Sequence, residues 1–443
     1  MQPMTIHEIE TAVGGRLLTP GEDFAPVSAV GTDSRQVEPG SLFVPWKGEK
    51  YDGHRFIDAA LEAGAAGCLC AQVPEQLLPG KFYIQVPDTR LALRALAASC
   101  RNRYDIPVIQ ITGSVGKTTT KEMVACVLAR RFNTLRTEKN FNNELGVPLT
   151  IFRIGPETEA AVIELGISHF GEMHRLGAMA RPDIAVYTLI GRSHLEALGD
   201  CPGVLRAKTE LLDEMPRDGL VVVNGDDDLL SSLRCEQRKL TYGLGNGCNV
   251  RAEDYRCLGA EGSEFTVVSG AHRIETRVGA FGRHMVYAAL AAAAVGIELG
   301  VPDADIAAGI ADYQPVGRRA SVINTGCLTI VDDCYNANPD STQMAILSAA
   351  DLGGRLVCLL GDMLELGEHS EEFHRETGRA ALDAGALLLT AGPLSEAMGG
   401  RHYASKAELI ADLPRQLRRG DTVLVKASHS MAFEDVTEAL KEL

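Results

Sequence analysis

Residues 106–119 read IPVIQITGSVGKTT, and this stretch decides the fold of the chain. Its apolar run lies between Pro107 and Gly113, which is typical of a buried parallel strand. The glycines that follow let backbone amides approach phosphate oxygens, and the helix that begins at the loop adds positive potential. Lys117 is expected to reach the β- and γ-phosphates of ATP, and the Thr118 hydroxyl to ligate Mg²⁺. The predicted ATP-binding loop comprises Gly113, Ser114, Val115, Gly116, Lys117, Thr118 and Thr119.

The loop departs from the general eight-residue phosphate-loop pattern at one place. That pattern begins with a glycine, and the chain has Ile111 there. The alternative interpretation is a glycine-rich turn between a strand and a helix, with a solvated lysine. The strand, the glycines, the lysine and the threonine together favour nucleotide binding.

Strand and helix signals alternate on both sides of the loop. Runs such as AVIELG, DIAVYTLI and GLVVVN predict parallel strands, so residues 106–314 are expected to form a central ATP-binding domain with a P-loop parallel sheet. Within it, residues 239–282 carry alternating β-type residues that predict an antiparallel extension. Residues 1–105 are expected to form a small mixed α/β domain. The segment YQPVGRR (313–319) contains a proline and a glycine and is a predicted linker. From it onwards, residues 315–443 again alternate between strand and helix signals, which predicts a Rossmann-like domain in a three-domain α/β protein.

Composition narrows the classes of function. Of the 443 residues, 45% are hydrophobic and 23% charged, as in ordinary globular proteins. A net charge of −16 argues against a nucleic-acid binder, which needs a basic surface. No apolar run approaches the roughly 20 residues of a membrane span, and the N-terminus lacks a signal-peptide pattern. The 11 cysteines show no zinc spacing. A cytoplasmic protein with reduced thiols fits these features best.

Two polar residues follow predicted strands of the central domain, and a lysine lies in a predicted helix beyond them. Glu164 comes directly after the strand AAVI, and His194 follows DIAVYTLI. Open α/β sheets bind ligands at the carboxyl ends of their strands, so Glu164 is a candidate Mg²⁺ ligand. On pattern alone a surface carboxylate at a turn is an equal alternative, and a lone histidine is more often structural or a general base. Lys208, in LRAKTELL, has the pattern of an exposed helical lysine.

Nearly the whole chain resembles the Mur ligase family, with the motifs in the right order. The family's phosphate loop lacks the earlier glycine, which accounts for Ile111. Two of the motifs, DDCYNANPDS and GDMLELGEHS, are the most specific. The matching segments are DSRQVEPGSLFVPWKGEKYDGHRFI (33–57), TGSVGKTTTKEM (112–123), NFNNELGVPLT (140–150), ELGISHFGEM (164–173), SHLEALG (193–199), AKTELL (207–212), DDCYNANPDS (332–341), GDMLELGEHS (361–370) and VLVKASHSM (423–431).

The resemblance implies an ATP-dependent amide ligase of peptidoglycan precursor synthesis. The branch that it indicates adds D-Ala-D-Ala to UDP-MurNAc-tripeptide through an acyl phosphate. Both substrates are small molecules, and a monomer is expected. The first domain would bind the UDP-substrate, and the third would bind the dipeptide and close over ATP. An exposed acyl phosphate would hydrolyse, so this closure should exclude water.

The resemblance also implies roles for individual residues. Two Mg²⁺ ions would lie near Thr118, Glu164 and His194. Lys208 would be carried as a carbamate, whose negative charge ligates the second ion. The implied catalytic residues are Lys117, Lys208 and His194, further ATP contacts are Arg318 and Asp333, and the implied substrate-binding residues are Ser34, Arg35, Asn142, Asn143, Asn336, Asn338 and Lys426.

The chain departs from the family at three further positions. Two asparagines that usually follow the GRH motif, the second of which helps to bind adenine, are replaced by Met285 and Ala288. His429 replaces an arginine near the end of the chain. Adenine recognition is therefore expected to be looser or supplied elsewhere, and contacts with the dipeptide to be altered.

Two alternative functions stay open on the sequence. One is a related ligase of the same architecture, such as a folylpolyglutamate- or cyanophycin-type enzyme with another amine substrate. The other is a catalytically weak nucleotide-binding scaffold, which only the replaced asparagines favour.

Overall fold

A computed structural model describes residues 1–19, 23–48 and 51–443 of the chain. Glu49 and Lys50 of the first resemblance motif therefore lie outside the described residues. The described part contains three β-sheets with helices packed against them, which confirms the predicted three-part α/β architecture.

The first sheet lies in the N-terminal part of the chain, in the order β1-β5-β4-β3-β2, with β1 antiparallel to β5 and the other pairs parallel. A capping box starts its first helix, because the Glu8 amide donates to Thr5 Oγ1 and the Thr5 amide donates to Glu8 Oε2. The elements are α1 (Ile6–Val13), β1 (Arg16–Leu17), β2 (Val30–Gly31), β3 (Leu42–Phe43), α2 (Ile57–Glu62), β4 (Gly67–Cys70), β5 (Phe82–Gln85) and α3 (Thr89–Arg101).

The second sheet is the largest, with nine strands in the order β14-β13-β12-β11-β10-β9-β6-β8-β7. Strands β6 to β12 pair in parallel, and β13 and β14 extend the sheet antiparallel. The antiparallel extension predicted for residues 239–282 is therefore confirmed for β13 and β14 but wrong for β11, which pairs in parallel with β10 and β12. The elements are β6 (Val108–Thr112), α4 (Lys117–Leu128), β7 (Thr134–Arg136), α5 (Gly146–Ile151), β8 (Ala160–Glu164), α6 (Glu172–Ala180), β9 (Ile184–Tyr187), α7 (Leu195–Leu198), α8 (Cys201–Thr209), β10 (Leu220–Asn224), α9 (Asp228–Ser231), β11 (Arg238–Gly243), β12 (Val250–Cys257), β13 (Ser263–Ser269), β14 (His272–Val278), α10 (His284–Glu298) and α11 (Asp303–Ala311).

The third sheet has six strands in the order β15-β16-β20-β17-β18-β19, parallel except for β15 against β16. This is the predicted Rossmann-like arrangement, and the antiparallel edge strand β15 is an addition that the sequence did not predict. The elements are β15 (Ser321–Asn324), β16 (Thr329–Asp332), α12 (Pro339–Ala350), β17 (Leu356–Gly361), α13 (Ser370–Asp383), β18 (Leu387–Ala391), β19 (Arg401–Tyr403), α14 (Lys406–Gln416), β20 (Thr422–Lys426) and α15 (Glu434–Lys441).

The strand order positions a ligand site in the second sheet. Strand β6 pairs with β8 on one side and with β9 on the other. The connection after β6 runs to β7, on the side of β8, whereas the connection after β9 runs to β10 on the other side, and this reversal opens a crevice beside the carboxyl end of β6. That end is Thr112, directly before the glycine-rich loop.

The three sheets share their hydrophobic packing. One continuous cluster of buried residues joins α4 and α10 of the second unit to α12 and β17 of the third. Another joins α1 and α3 to α5 and α6. Neighbouring units are thus packed on one another. None of the described helices is both long and apolar enough to cross a membrane.

Candidate active site

The glycine-rich loop connects β6 to α4 as predicted. Gly113 and Gly116 have positive φ values of 148° and 86°, a region that glycine enters without strain. A side chain at Gly113 would also collide with the Thr188 hydroxyl. Lys117 Nζ donates to the Gly113 carbonyl at 2.9 Å, so the side chain folds back over the loop where phosphates would lie. Burial lowers the pKa of Lys117, and the nearby Glu164 carboxylate opposes this effect.

The Glu164 carboxylate lies at the carboxyl end of β8, beside the loop. Its Oε2 accepts a hydrogen bond from Thr118 Oγ1 at 2.9 Å, and its Oε1 accepts one from Asn142 Nδ2 at 2.9 Å. The Glu164 amide donates to Thr137 Oγ1, which fixes the end of the strand. With 2% of the residue exposed, Glu164 is the buried centre of an oxygen-rich group rather than a surface carboxylate.

His194 follows β9 and begins α7 in the left-handed conformation, with φ 55°. Its Nδ1 lies 2.7 Å from Glu365 Oε2, which belongs to the third unit. Burial lowers the pKa of His194, although the Glu365 carboxylate acts in the opposite direction. Glu365 also has a positive φ, of 63°. Two residues in a strained conformation thus meet across the boundary between units.

Lys208 is buried, which corrects the pattern-based interpretation as an exposed lysine. It lies on α8 with 1% of its surface exposed, and it forms no ion pair among the residues that the structure describes. Burial, with a smaller contribution from the charge of Lys117, lowers its pKa well below the usual value. A buried, unpaired ammonium is costly, so this site favours the neutral amine or a modified side chain.

The third unit contributes the opposite wall of the cleft. Lys426, at the end of β20 and 3% exposed, donates to Asp333 Oδ2 at 2.5 Å and to the Asn336 carbonyl at 2.9 Å. Asn338 caps α12 by accepting a hydrogen bond from the Ser341 amide. This network presents Asp333, Asn336 and Asn338 to the same space as the loop.

Of the adjacent residues Arg318, which is a predicted ATP contact, and Arg319, only Arg319 lines the cleft. Arg318 is held by Asp332 at 2.9 Å and by Glu438 at 2.8 Å, and it does not line the cleft. Arg319 lines the cleft instead, with its guanidinium carbon 3.8 Å from the centre of the Tyr335 ring. The sequence does not show which of two adjacent arginines faces the cleft. In the folded chain the ion pairs with Asp332 and Glu438 hold Arg318 away from it.

The cleft between the second and third units has a volume of about 380 Å³. Lys117, Glu164 and His194 line it together with Asn142 and Asn143. Met285 lines it too, so the side chain that replaces an asparagine of the family does face this space. The other cleft residues that the sequence did not single out include Ile167, Ser168, Phe281, His284, Met344, Ala345 and Ser348.

Ser34 and Arg35 are not among the residues that line this cleft. They lie in a turn of the N-terminal unit, where Arg35 is exposed and forms an ion pair with Asp33 at 2.7 Å. The predicted uridine site is therefore a separate location from the cleft.

Comparison with protein families assigns the three units in order. Residues 26–101 match the model "Mur ligase family, catalytic domain", residues 111–296 match "Mur ligase middle domain", and residues 318–429 match "Mur ligase, glutamate ligase domain".

Curated relatives match over the full length. The UDP-N-acetylmuramoyl-tripeptide–D-alanyl-D-alanine ligase of Bacillus subtilis is 36% identical, with 99% of this chain and 98% of the relative covered. The ligase of the same name from Escherichia coli is 37% identical, with 100% and 99% covered.

Solved structures agree with the fold. A crystal structure of MurF from Acinetobacter baumannii superposes with a TM-score of 0.94, at 29% identity and full coverage of both chains. MurF from Thermotoga maritima in complex with ADP superposes with a TM-score of 0.84 at 27% identity, covering 94% of this chain and 97% of that one.

Proposed function

The chain belongs to the Mur ligase family, and we propose on that premise that it joins D-alanyl-D-alanine to UDP-N-acetylmuramoyl-tripeptide in a reaction driven by ATP. Its full-length relatives carry that activity in their names. We place the reaction in the cytoplasm, where the nucleotide-linked precursor and ATP are both found.

One observation carries the proposal. The phosphate loop and the network around Lys426 line the same cleft, although they belong to different sheets. A ligase of this type must bring a carboxylate, the γ-phosphate and an amine within reach of one another. The cleft joins a phosphate-binding wall to a second wall that is free to bind the amine.

The first step is attack of the tripeptide carboxylate on the γ-phosphorus, with ADP as the leaving group. Lys117 and the loop amides would hold the phosphates, and the pairing of Lys117 Nζ with the Gly113 carbonyl keeps the side chain folded over the loop. Arg319 would add positive charge from the third unit. We propose Arg319 for the role that the sequence assigned to Arg318, with Asp333 beside it.

The residues beside the loop fit magnesium. Thr118 and Glu164 present oxygen atoms 2.9 Å apart, and oxygen is the ligand type that Mg²⁺ prefers. Thr118, Glu164 and His194 would hold two ions together with phosphate oxygens. Bound there, Mg²⁺ supplies positive charge to the oxygens of the transferred group.

Lys208 is proposed to carry a carbamate. Its lowered pKa favours the neutral amine, whose nitrogen lone pair can bond to the carbon of CO₂ while a proton leaves to solvent. The product is an anion, which removes the like-charge conflict with Lys117 and gives a ligand for the second ion.

In the second step the amine of the dipeptide attacks the acyl carbon, and phosphate leaves. Asn336, Asn338 and Lys426 would bind the dipeptide, while Asn142 and Asn143 would lie near the phosphates. Ser34 and Arg35 would bind the uridine end in a domain of residues 1–105. Residues 106–314 and 315–443 would form the other two domains of a monomer.

A substrate panel tests the proposal. Purified protein with ATP, magnesium, UDP-MurNAc-tripeptide and D-Ala-D-Ala should release one phosphate per amide formed, and omission of either substrate should stop amide formation. Folate with glutamate is the control for a folylpolyglutamate-type ligase. Binding of ATP without turnover on any substrate pair would contradict the proposed activity and favour a nucleotide-binding scaffold.

A further inference from the structure

The loop between β9 and α7 forms hydrogen bonds with two helices of the third unit. The Arg192 amide donates to Asp340 Oδ2 at 2.6 Å, while Arg192 Nε and Nη2 donate to Asp340 Oδ1 at 3.0 and 2.8 Å. Arg192 Nη1 donates to Glu376 Oε2 at 2.6 Å. One arginine thus makes four hydrogen bonds to two carboxylates of α12 and α13. We call Arg192, Asp340, Glu376 and Phe373 the interdomain clamp.

The remaining contacts of the clamp show that it is closely packed. The Arg192 guanidinium lies over the Phe373 ring, with its carbon 5.0 Å from the ring centre. The Arg192 and Asp340 side chains are only 20% and 23% exposed, which shields their interaction from solvent. A side chain at Gly191 would collide with Asp340 Oδ2, so the glycine is what lets the carboxylate approach the loop.

The clamp contacts residues that belong to both walls of the cleft, the phosphate-loop wall and the wall formed by the third unit. On the ATP side, the Ser114 hydroxyl donates to the Gly191 carbonyl and accepts from the Gly191 amide, both at 3.0 Å, which ties the clamp to the phosphate loop. His194 follows Arg192 by two residues. On the other side, Asp340 lies in the first turn of α12, two residues after the cap Asn338. A shift of the third unit relative to the second would therefore displace residues on both walls of the cleft.

We propose that Arg192 is a positioning residue that holds the third unit closed while the acyl phosphate exists. The inference rests on the proposed function and deepens it, because it names the contact that keeps the intermediate from water. Charge-assisted, bidentate hydrogen bonds are directional and lose strength when the partners separate, so the clamp discriminates the closed arrangement from any open one. Without it, the acyl phosphate would meet water before the amine more often, and ATP would be consumed without amide formation.

The test measures phosphate released per amide formed, with saturating substrates. Arg192→Ala should raise this ratio at least about twofold above that of the unaltered protein and lower kcat about tenfold, because misplacement of the reacting groups by a substitution outside the site can slow a reaction up to about a hundredfold. Arg192→Lys should restore part of kcat but not the ratio, since an ammonium cannot make the bidentate contact. Gly191→Ala should act in the same direction, because it blocks Asp340 without removing the arginine.

A matched control is Arg238→Ala. Arg238 also pairs with a carboxylate, Glu298, at 2.8 Å, but within the second unit and away from the cleft. Its ratio should stay that of the unaltered protein. Circular dichroism and melting temperature identify any variant that fails to fold, and Asp340→Asn then replaces it.

A ratio that stays unchanged in folded Arg192→Ala and Gly191→Ala overturns the proposal, whatever happens to kcat. Failure of the proposed function looks different, because the unaltered protein would then form no amide at all. A raised ratio in both variants, together with a normal ratio in Arg238→Ala, supports the clamp.

Discussion

The phosphate-loop lysine is the side chain on which the ATP site depends most. We predict that Lys117→Ala lowers phosphoryl transfer by roughly a hundredfold to a thousandfold, because removal of one preorganised donor to a developing charge usually costs that much. The melting temperature should change little, since among the described residues Nζ donates only to the Gly113 and Ser114 carbonyls of its own loop. Phosphate release under saturating substrates is the measurement.

Lys239→Ala is the control for that variant, because Lys239 Nζ also donates to two backbone carbonyls, those of Ser231 and Leu233, on an exposed surface. It should keep full activity. Full ATP-dependent amide formation by Lys117→Ala would contradict the proposed role of the loop in binding the phosphates of ATP.

Substitution of Lys208 tests whether its side chain acts as a carbamate. Lys208→Ala should lose activity by about a hundredfold, because a charged group is missing from the reacting site. A short carboxylate such as acetate should restore part of it by entering the space that the side chain leaves. Lys208→Met fills that space and should not respond. Unaltered activity of the alanine variant would exclude a role for the side chain, and equal rescue of both variants would exclude the carbamate mimicry.

Side-chain environments mark the limit of what the sequence predicts. Glu164 was predicted from its place after a strand, and the structure puts it in contact with Thr118. The burial of Lys208 and the partner of His194 depend on segments far away in the chain, so local pattern gave no signal for either. Glu365 and Arg192 were missed because each is one of many charged residues in a loop.

Among the helices and strands, α13 is anchored by a buried histidine. His374 is fully buried, its Nε2 accepts from the Met363 amide at 3.0 Å, and its Nδ1 donates to the Ser370 carbonyl at 2.6 Å. Burial lowers its pKa, against an opposing effect of the Ser370 carbonyl. The helix therefore depends on a neutral imidazole.

This anchor predicts a pH dependence of stability. Below a pH of about 6.5 the unfolded chain takes up a proton at His374 that the folded chain excludes, so stability is lost as pH falls from there towards the lowered folded pKa. The loss is at most about 1.4 kcal/mol per pH unit for one proton. Melting temperatures of the unaltered protein and of His374→Gln, taken at pH 7.5 and 5.5, measure it.

The glutamine variant should lose less stability over this interval than the unaltered protein. His369→Gln, with the histidine 64% exposed at its side chain, is the control and should follow the unaltered protein. Parallel pH curves for all three proteins would contradict the role of His374.

The positions of these strands could be predicted from the sequence, but their order in the sheet could not. The predicted strands at AVIELG, DIAVYTLI and GLVVVN are β8, β9 and β10, and the antiparallel extension is present. Periodicity reports which residues are buried, but pairing is decided by long-range packing. The place of β6 between β8 and β9, which opens the site, therefore emerged only from the folded chain.

At the scale of the whole molecule, the three sheets of the described residues pack through shared cores, and the cleft lies where the second and third units meet. The proposed chemistry needs both units, since one contains the phosphate loop and the other contains Lys426 and Asp333. The sequence motifs of both units predicted that they act together. The contacts that join them, through Arg192 and Glu365, required the structure.

The most direct test of the central claim follows oxygen atoms through the reaction. The terminal carboxylate of UDP-MurNAc-tripeptide is labelled with ¹⁸O, and the phosphate released with ATP and D-Ala-D-Ala is analysed by mass spectrometry. If the carboxylate is activated as an acyl phosphate, one labelled oxygen appears in the phosphate for each amide formed. Phosphate without label, or label in AMP, would contradict the account.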